Sequence, residues 1–458
     1  MVRPNPQSDD SRTCGVPGCE ICELKKPFVF PKEILEAAEN RKLVIFAGAG
    51  VSTEARGVFN LTLYEDTRRE LKIGSRKKIS FSALMSLYCR RKTRRMLLHK
   101  IKNRFDYMKK FPEIYKHATR FHRELSTIPC IQEIVTTNWD DHFECECDAT
   151  PIVTPDDFAA FSDIPGRKVF KIHGSVTNYG SIVATAEDYQ ACYRRLRTGV
   201  IGSVLKVLLS SKTVVFVGYS FQDEDFERVY RLLNREVRGL LPSSYIVILD
   251  EDAKATLASV GINIKPIITD ATFFLATLKA QLVKKKLMLP DERYNGLEKA
   301  YERVFEAQNN IFRIDPRRHP ENIYSLVYQD GLMHGLEDVI GSRKSGRFSD
   351  GHMLMLMHMI QSYEFLRKRY LHAGNYWEVA YIEGFRNGLL YFLSSDKKTP
   401  KLPLYYLFGC GDITNLRDYR KLAKRARNLH KSAYSFVSRL AASRIHTKGV
   451  SFHHAPFL

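Results

Sequence analysis

Four short stretches combine small residues with groups able to hold or attack a phosphorylated ligand. Gly48-Ala49-Gly50-Val51-Ser52 has two glycines one residue apart. Such a turn lets backbone N–H groups approach a pyrophosphate, with a following helix N-terminus facing the negative charge. The third glycine of the full dinucleotide fingerprint is replaced by Thr53, so a tight turn without a ligand stays open as a reading. Thr136-Thr137-Asn138-Trp139-Asp140 supplies a carboxamide and a carboxylate, which serve equally as turn formers or helix caps. Lys171-Ile172-His173-Gly174-Ser175 carries an imidazole, which titrates near neutrality, beside a glycine that leaves one side open to a substrate. A hydrogen-bonded structural histidine is the plainer alternative. In Gly218-Tyr219-Ser220, followed by Asp223, small residues again stand where a ligand would need room.

Other reactive groups are less organised. Cys14, Cys19 and Cys22 are spaced x4 and x2. They suit either a zinc ion, completed by a ligand such as His446, His453 or His454, or a tail without metal. Cys145 and Cys147 flank Glu146, a poor chelating spacing, and are expected to pack. The run His352-Met353-Leu354-Met355-Leu356-Met357-His358-Met359 reads as an all-round apolar helix, buried in a bundle or at an oligomer contact. The basic stretch from Arg90 to Arg95 reads as a solvated helix face.

The elements that must position these groups follow from apolar runs. The apolar runs within Leu43–Ser52, Ile131–Asp140, Val169–Ser175, Thr213–Ser220, Ser244–Asp250 and Ile262–Ile268 read as strands. They alternate with helical stretches such as Asp223–Leu233 and Ala271–Lys284, and residues 58–130 are helix-rich. The pattern predicts an α/β, doubly wound parallel sheet of Rossmann type with a helical insertion. Each motif then lies just past a strand's carboxyl end, where open α/β sheets bind ligands. Lys284-Lys285-Lys286 and Pro290 mark a boundary. Segments 321–341, 350–372 and 374–395 beyond it read as helices, and 415–443 as one basic amphipathic helix. The expected organisation is a cysteine-bearing tail or small metal knuckle at 1–30, an α/β domain at 31–287 and an all-helical domain at 290–458.

Composition narrows the class. The 458 residues are 44% hydrophobic and 27% charged, which excludes wholesale disorder. No apolar run is long enough to span a membrane, and the first 30 residues lack an apolar signal core, so a cytoplasmic protein without membrane contact is expected. Nine cysteines, unevenly spaced, suit reduced thiols. The net charge of +20 points to an anionic partner. Ten basic against two acidic side chains fall between residues 411 and 458, which fits a solvated face or a nucleic-acid contact.

The order GAGVS, TTNWD, KIHGS, VFVGYSFQD resembles the sirtuin family from about Lys42 to Lys284. The last two motifs are most similar to the bacterial sirtuin-like NAD hydrolases of anti-phage defence. The resemblance implies NAD+ as substrate, with Gly48, Ala49, Gly50 and Ser52 lining the pyrophosphate turn. It implies Asn138 holding the nicotinamide-side ribose and positioning water, Asp140 supporting that pocket, and His173 as general base or ribose partner. Gly218 and Ser220 would contact phosphate and ribose, and Asp250 the adenosine ribose. Two departures separate the chain from the protein deacylases. The stretch Arg56-Gly57-Val58-Phe59-Asn60-Leu61 lacks their Gly-Ile-Pro-x-Phe-Arg, leaving Arg56 as the only substitute arginine. A zinc ribbon is also missing, because Cys192 is the sole cysteine between His173 and Gly218.

The expected protein is therefore an NAD+ hydrolase, releasing nicotinamide and ADP-ribose, that needs no metal for catalysis. As a defence effector acting by NAD+ depletion it would be gated. A homo-oligomer, or an activating partner such as a HerA-type ATPase, a short Argonaute or a phage protein, would do the gating. The rival readings are an NAD-dependent deacylase or ADP-ribosyltransferase, and a non-catalytic nucleotide-sensing module whose basic tail holds nucleic acid.

Overall fold

A computed structural model describes residues 19–55, 57–74, 78–164, 166–219, 242–249, 264–285, 287–345, 353–394 and 401–442. Cys14, Arg56, Ser220, Asp250, the three C-terminal histidines and the helix read at Asp223–Leu233 lie outside these residues. The chain divides into two compact units, Met1–Lys285 and Lys286–Leu458.

In the first unit seven described strands form one parallel sheet. They are β1 (Leu43–Ala47), β2 (Glu133–Thr136), β3 (Thr150–Ile152), β4 (Lys168–Lys171), β5 (Thr213–Val217), β6 (Ser244–Ile248) and β7 (Ile264–Ile268), in spatial order β3-β4-β2-β1-β5-β6-β7. Every residue of β1 and β6 is buried, as expected for strands covered by helices on both faces. Phe46, Phe170, Phe216 and Ile246 build the core on one face with Leu196 and Leu205. Residues 58–130 form the expected helical insertion, with its own core of Leu84, Met85, Leu97, Ile101 and Met108.

One expectation for this unit needs correction. The GAGVS turn does not lead directly into an α-helix. Ala49–Val51 makes one 3-10 turn, and the next α-helix starts at Leu63 behind a Thr62–Glu65 capping box. The reason is Ser52, whose backbone (φ −136°, ψ −118°) leaves helical space as its side chain turns into the interior. Strand β3 was also not anticipated. It is a three-residue edge strand containing Pro151, a position where proline is tolerated because no ladder donor is lost.

The second unit is helical. Helices Asp291–Phe312, Asn322–Ser345, Met353–His372 and Tyr376–Ser394 surround a core of Val327, Leu332, Leu336, Phe385 and Leu389. The second and fourth cross closely because glycine replaces bulk at the contact: a Cβ on Gly384 would lie 1.9 Å from the Tyr328 carbonyl oxygen. The single helix expected at 415–443 is three shorter pieces, Leu416–Ala423, Ala426–Leu429 and Lys431–Ala442. Arg425 and His430 leave helical geometry between them, and the His430 ring accepts from the Ala433 N–H to start the last piece. The methionine-rich helix is not buried all round. Leu356 is buried, but Met357 is exposed and Phe365 is 68% exposed. Among the described residues no helix is long and apolar enough to cross a membrane.

Candidate active site

The four motifs leave neighbouring strands at the same edge of the sheet. GAGVS follows β1, TTNWD follows β2, KIHGS follows β4 and Gly218-Tyr219 follows β5. These strands are adjacent in the order β4-β2-β1-β5, all parallel. The chain leaves β1 toward β2 on one side and later returns to β5 on the other. The sheet's switch point, where a crevice opens in such folds, is therefore the β1–β5 junction.

At that junction two glycine turns interlock. Gly48 N–H donates to the Val217 carbonyl at 2.8 Å, and Gly50 N–H to the Gly218 carbonyl at 2.9 Å. A Cβ on Gly48 would lie 2.6 Å from the Gly218 oxygen, and one on Gly218 would lie 2.7 Å from the Val51 nitrogen. Gly218 also has φ +69°, a left-handed conformation that favours glycine. The glycines are thus required by the contact of two chain turns, before any ligand is considered. Tyr219 seals the junction, with its hydroxyl 3.1 Å from the Ala47 carbonyl and 3.0 Å from Thr137 Oγ1.

Asn138 joins β2 to this turn. Its backbone N–H donates to Thr136 Oγ1 at 3.0 Å, and its Nδ2 donates to the Gly48 carbonyl at 3.1 Å. The side chain is buried, and its Oδ1 has no hydrogen-bond partner among the described residues. An acceptor held this rigidly, and left unsatisfied, is what a ligand hydroxyl or a water would complete.

The neighbouring strand end supplies His173. Thr136 of β2 pairs with Lys171 of β4, so Asn138 and His173 each stand two residues beyond one registered pair. The Ile172 N–H continues the ladder to the Thr136 carbonyl, and the Val176 N–H reaches the Trp139 carbonyl at 2.8 Å. The imidazole is buried edge-on against Tyr189, with centroids 5.0 Å apart. Gly174 beside it has φ +85° and lies against the Ser181 backbone.

Asp140 points inward. Its Oδ2 accepts from Ser52 Oγ at 2.7 Å, and its Oδ1 accepts from the His142 N–H and lies 3.2 Å from His142 Nδ1. Burial would raise this carboxyl, but His142, His122, Lys171 and the Ser52 hydroxyl together hold it well below the usual carboxylate range. Burial pushes the His122 imidazole down to about 3. Lys171, fully buried, donates to the Asp140 carbonyl and pairs with Glu144 at 2.9 Å. The Asn138–Asp140 loop is thereby held from β1 through Ser52 and from β4 through Lys171.

Sequence reasoning did not single out Lys171, Tyr219, Thr136, His122 or His142. The first three lie inside or beside the motifs, and a lysine in an otherwise apolar strand was the available signal. Nothing in the sequence connects His122 to residue 140. Cys192, the lone cysteine of the deacylase ribbon interval, is buried in the helix Ala186–Thr198. Cys22 N–H donates to the Cys19 carbonyl, so these two residues share one turn. Cys147 is buried as expected, but Cys145 is exposed at the helix surface and does not pack.

Residues 132–267 match the family model for a SIR2-like domain. The chain is 29% identical over 215 residues to a protein named NAD(+) hydrolase ThsA from Cytobacillus dafuensis, covering 46% of this chain and 42% of the relative. It is 30% identical over 207 residues to the protein of the same name from Enterococcus faecium, covering 44% and 42%. Over 293 residues it is 23% identical to Defense-associated sirtuin 2 of Bacillus subtilis, covering 61% of this chain and 27% of that protein. The chain thus spans less than half the length of the curated relatives it matches.

Proposed function

We propose that the first unit, whose residues 132–267 match the SIR2-like domain, is a sirtuin-like enzyme that hydrolyses NAD+ to nicotinamide and ADP-ribose. The observation that carries the reading is Asn138, clamped against the Gly48 turn at the switch point with an unsatisfied Oδ1, one registered strand from His173. The names of the two NAD(+) hydrolases support the substrate.

The chemistry asks little beyond positioning. The bond between ribose C1′ and the nicotinamide nitrogen breaks, its electron pair leaves with neutral nicotinamide, and positive charge develops on the ribose. Asn138 Oδ1 accepts from a ribose hydroxyl or the attacking water and fixes it beside C1′. Water oxygen forms the new bond to C1′, and His173 takes the proton it loses. The backbone N–H groups of the glycine turns offer donors to the pyrophosphate. Asp140 acts one step back, holding the loop that carries Asn138.

The helical second unit has no such cluster of motifs, and we assign it a regulatory role, by self-assembly or by a protein activator, in an anti-phage defence effector. An NAD+ hydrolase without restraint would consume its host's own cofactor, so gating is part of the proposal. The basic segment after residue 411 is a candidate contact for a polyanion.

The test is nicotinamide release from NAD+ by the full chain, alone and with candidate activators, with and without an acylated peptide. Release of free ADP-ribose that does not depend on the peptide supports hydrolysis. Turnover that requires the peptide would instead identify a deacylase. NAD+ that binds and stays intact under every activating condition would identify a sensing module.

A further inference from the structure

Behind the Asn138 loop lies a cluster in which Asp140 positions that loop and two histidines have no part in the proposed hydrolysis. His122, in the helix Arg120–Ser126, faces Asp140 and His142. All three side chains are buried, and one ligand atom from each lies within 4.8 Å of the others. His122 is fully buried, yet among the described residues neither of its ring nitrogens has a hydrogen-bond partner, and His142 Nε2 has none either. Buried imidazole nitrogens are ordinarily satisfied, because leaving them bare forfeits hydration without return.

We propose that His122, Asp140 and His142 bind a divalent transition metal ion of the zinc class. Two imidazoles and one carboxylate form a borderline-hard donor set suited to zinc, with bonds of about 2.0–2.2 Å and ligand atoms about 3.4 Å apart in a tetrahedron. The present separations therefore need only a modest contraction. The Ser52 hydroxyl, 2.7 Å from Asp140 Oδ2 and 3.0 Å from His142 Nδ1, orients both residues from beside the cluster. Lys171, a cation that acts on Asp140, is paired with Glu144. The ion would tie the helix Arg120–Ser126 to the loop bearing Asn138, a structural role independent of the reading as a hydrolase.

The experiment uses the full chain with Cys14→Ser, Cys19→Ser and Cys22→Ser, so that zinc held by those thiols is not counted. The protein is stripped with a chelator, re-equilibrated with Zn2+ or Co2+, gel-filtered and analysed for metal. The expected result is about one equivalent of metal per chain, with a cobalt visible spectrum of four-coordinate nitrogen and oxygen ligation lacking a thiolate charge-transfer band. With Zn2+ at about a hundred times its dissociation constant, the thermal midpoint rises by roughly 5 °C. His122→Gln, and His122→Phe, which fills the same space without a lone pair, both lose the ion and the shift. No stoichiometric metal in the parent protein, thiolate bands in the cobalt spectrum, or retention of the ion by either variant overturns the proposal. Failure here leaves the NAD+ reading intact, because neither Asn138 nor His173 is a ligand.

Discussion

Replacing Gly48 by alanine tests the interlocked turns with a single methyl group. The backbone at Gly48 (φ −108°, ψ 179°) is open to any residue, so alanine brings no conformational strain. By itself, the stiffer unfolded chain would add about 0.4–1 kcal/mol of stability. The new Cβ, however, meets the Gly218 carbonyl oxygen at 2.6 Å and two Tyr219 ring carbons at 3.0 Å. Neither neighbour can yield easily. The Gly218 carbonyl is fixed by the Gly50 N–H, and Tyr219 is buried with its hydroxyl bonded to Ala47. Overpacking of this kind costs about 1–3 kcal/mol, leaving a net loss on the order of 1–2 kcal/mol. For a unit of this size that lowers the melting temperature by roughly 2–4 °C. The Gly48 carbonyl also holds Asn138 Nδ2, so relief of the clash displaces the carboxamide, and a shift near 1 Å costs about 100-fold in turnover. Gly166→Ala is the control: its φ of +76° costs about 1 kcal/mol, but no atom lies within 4 Å, so cleavage should be unchanged. Melting curves and nicotinamide release measured on both variants decide the matter. A Gly48→Ala protein as stable and active as the parent would refute the interlocked junction.

Further outcomes follow from buried polar groups. Arg167 donates to the carbonyls of Ile131, Cys147 and Ile128 at 2.8–3.1 Å, so Arg167→Ala strands three buried acceptors. It should cost at least about 3 kcal/mol by urea unfolding, and Arg167→Lys should rescue little because one ammonium cannot span the three. Ser52→Ala removes a donor from buried Asp140 and should destabilise by about 1–3 kcal/mol, read by thermal melting. Asp188 caps the helix Ala186–Thr198 and pairs with Arg94; burial opposes its charge, but these bonds hold its carboxyl low. A depressed folded pKa contributes stability above the ordinary carboxylate pKa of about 3.9 and loses it as pH falls through the folded value. Asp188→Asn should therefore flatten the acid side of the stability–pH curve below about pH 4, and an unchanged acid limb would contradict the assignment.

How far the sequence showed this fold depended on how much information each segment carried locally. Strands β1, β2, β4, β5 and β6 were legible because apolar runs, ending in glycine or polar residues, mark buried parallel strands, and edge strand β7 was legible from its isoleucines although Lys265 interrupts them. Strand β3 was hidden because three residues including Pro151 have no periodicity. The helix Asp291–Phe312 was not assigned, as its polar face obscures its pattern, although Pro290 marked its start. Reading 415–443 as one helix overlooked the breaks at Arg425 and His430, which local propensity does not encode. At the site, Asn138, Asp140 and His173 were visible because each lies in a short motif at a strand end. What stayed hidden was set by tertiary approach. Ser52 was expected on the ligand side of the turn, and its hydroxyl bonds Asp140 in the interior. His122 reaches residue 140 only through the packing of a helix against the sheet.

The proposed hydrolysis requires Asn138 and His173 to act on one ribose from adjacent strand ends. The most direct measurement is nicotinamide release from NAD+ by the parent chain, Asn138→Ala and His173→Ala, each under the same activating conditions and matched by melting temperature. The expected result is turnover by the parent and a fall of at least about 100-fold in each variant without loss of the fold. Parental turnover in either folded variant would contradict it.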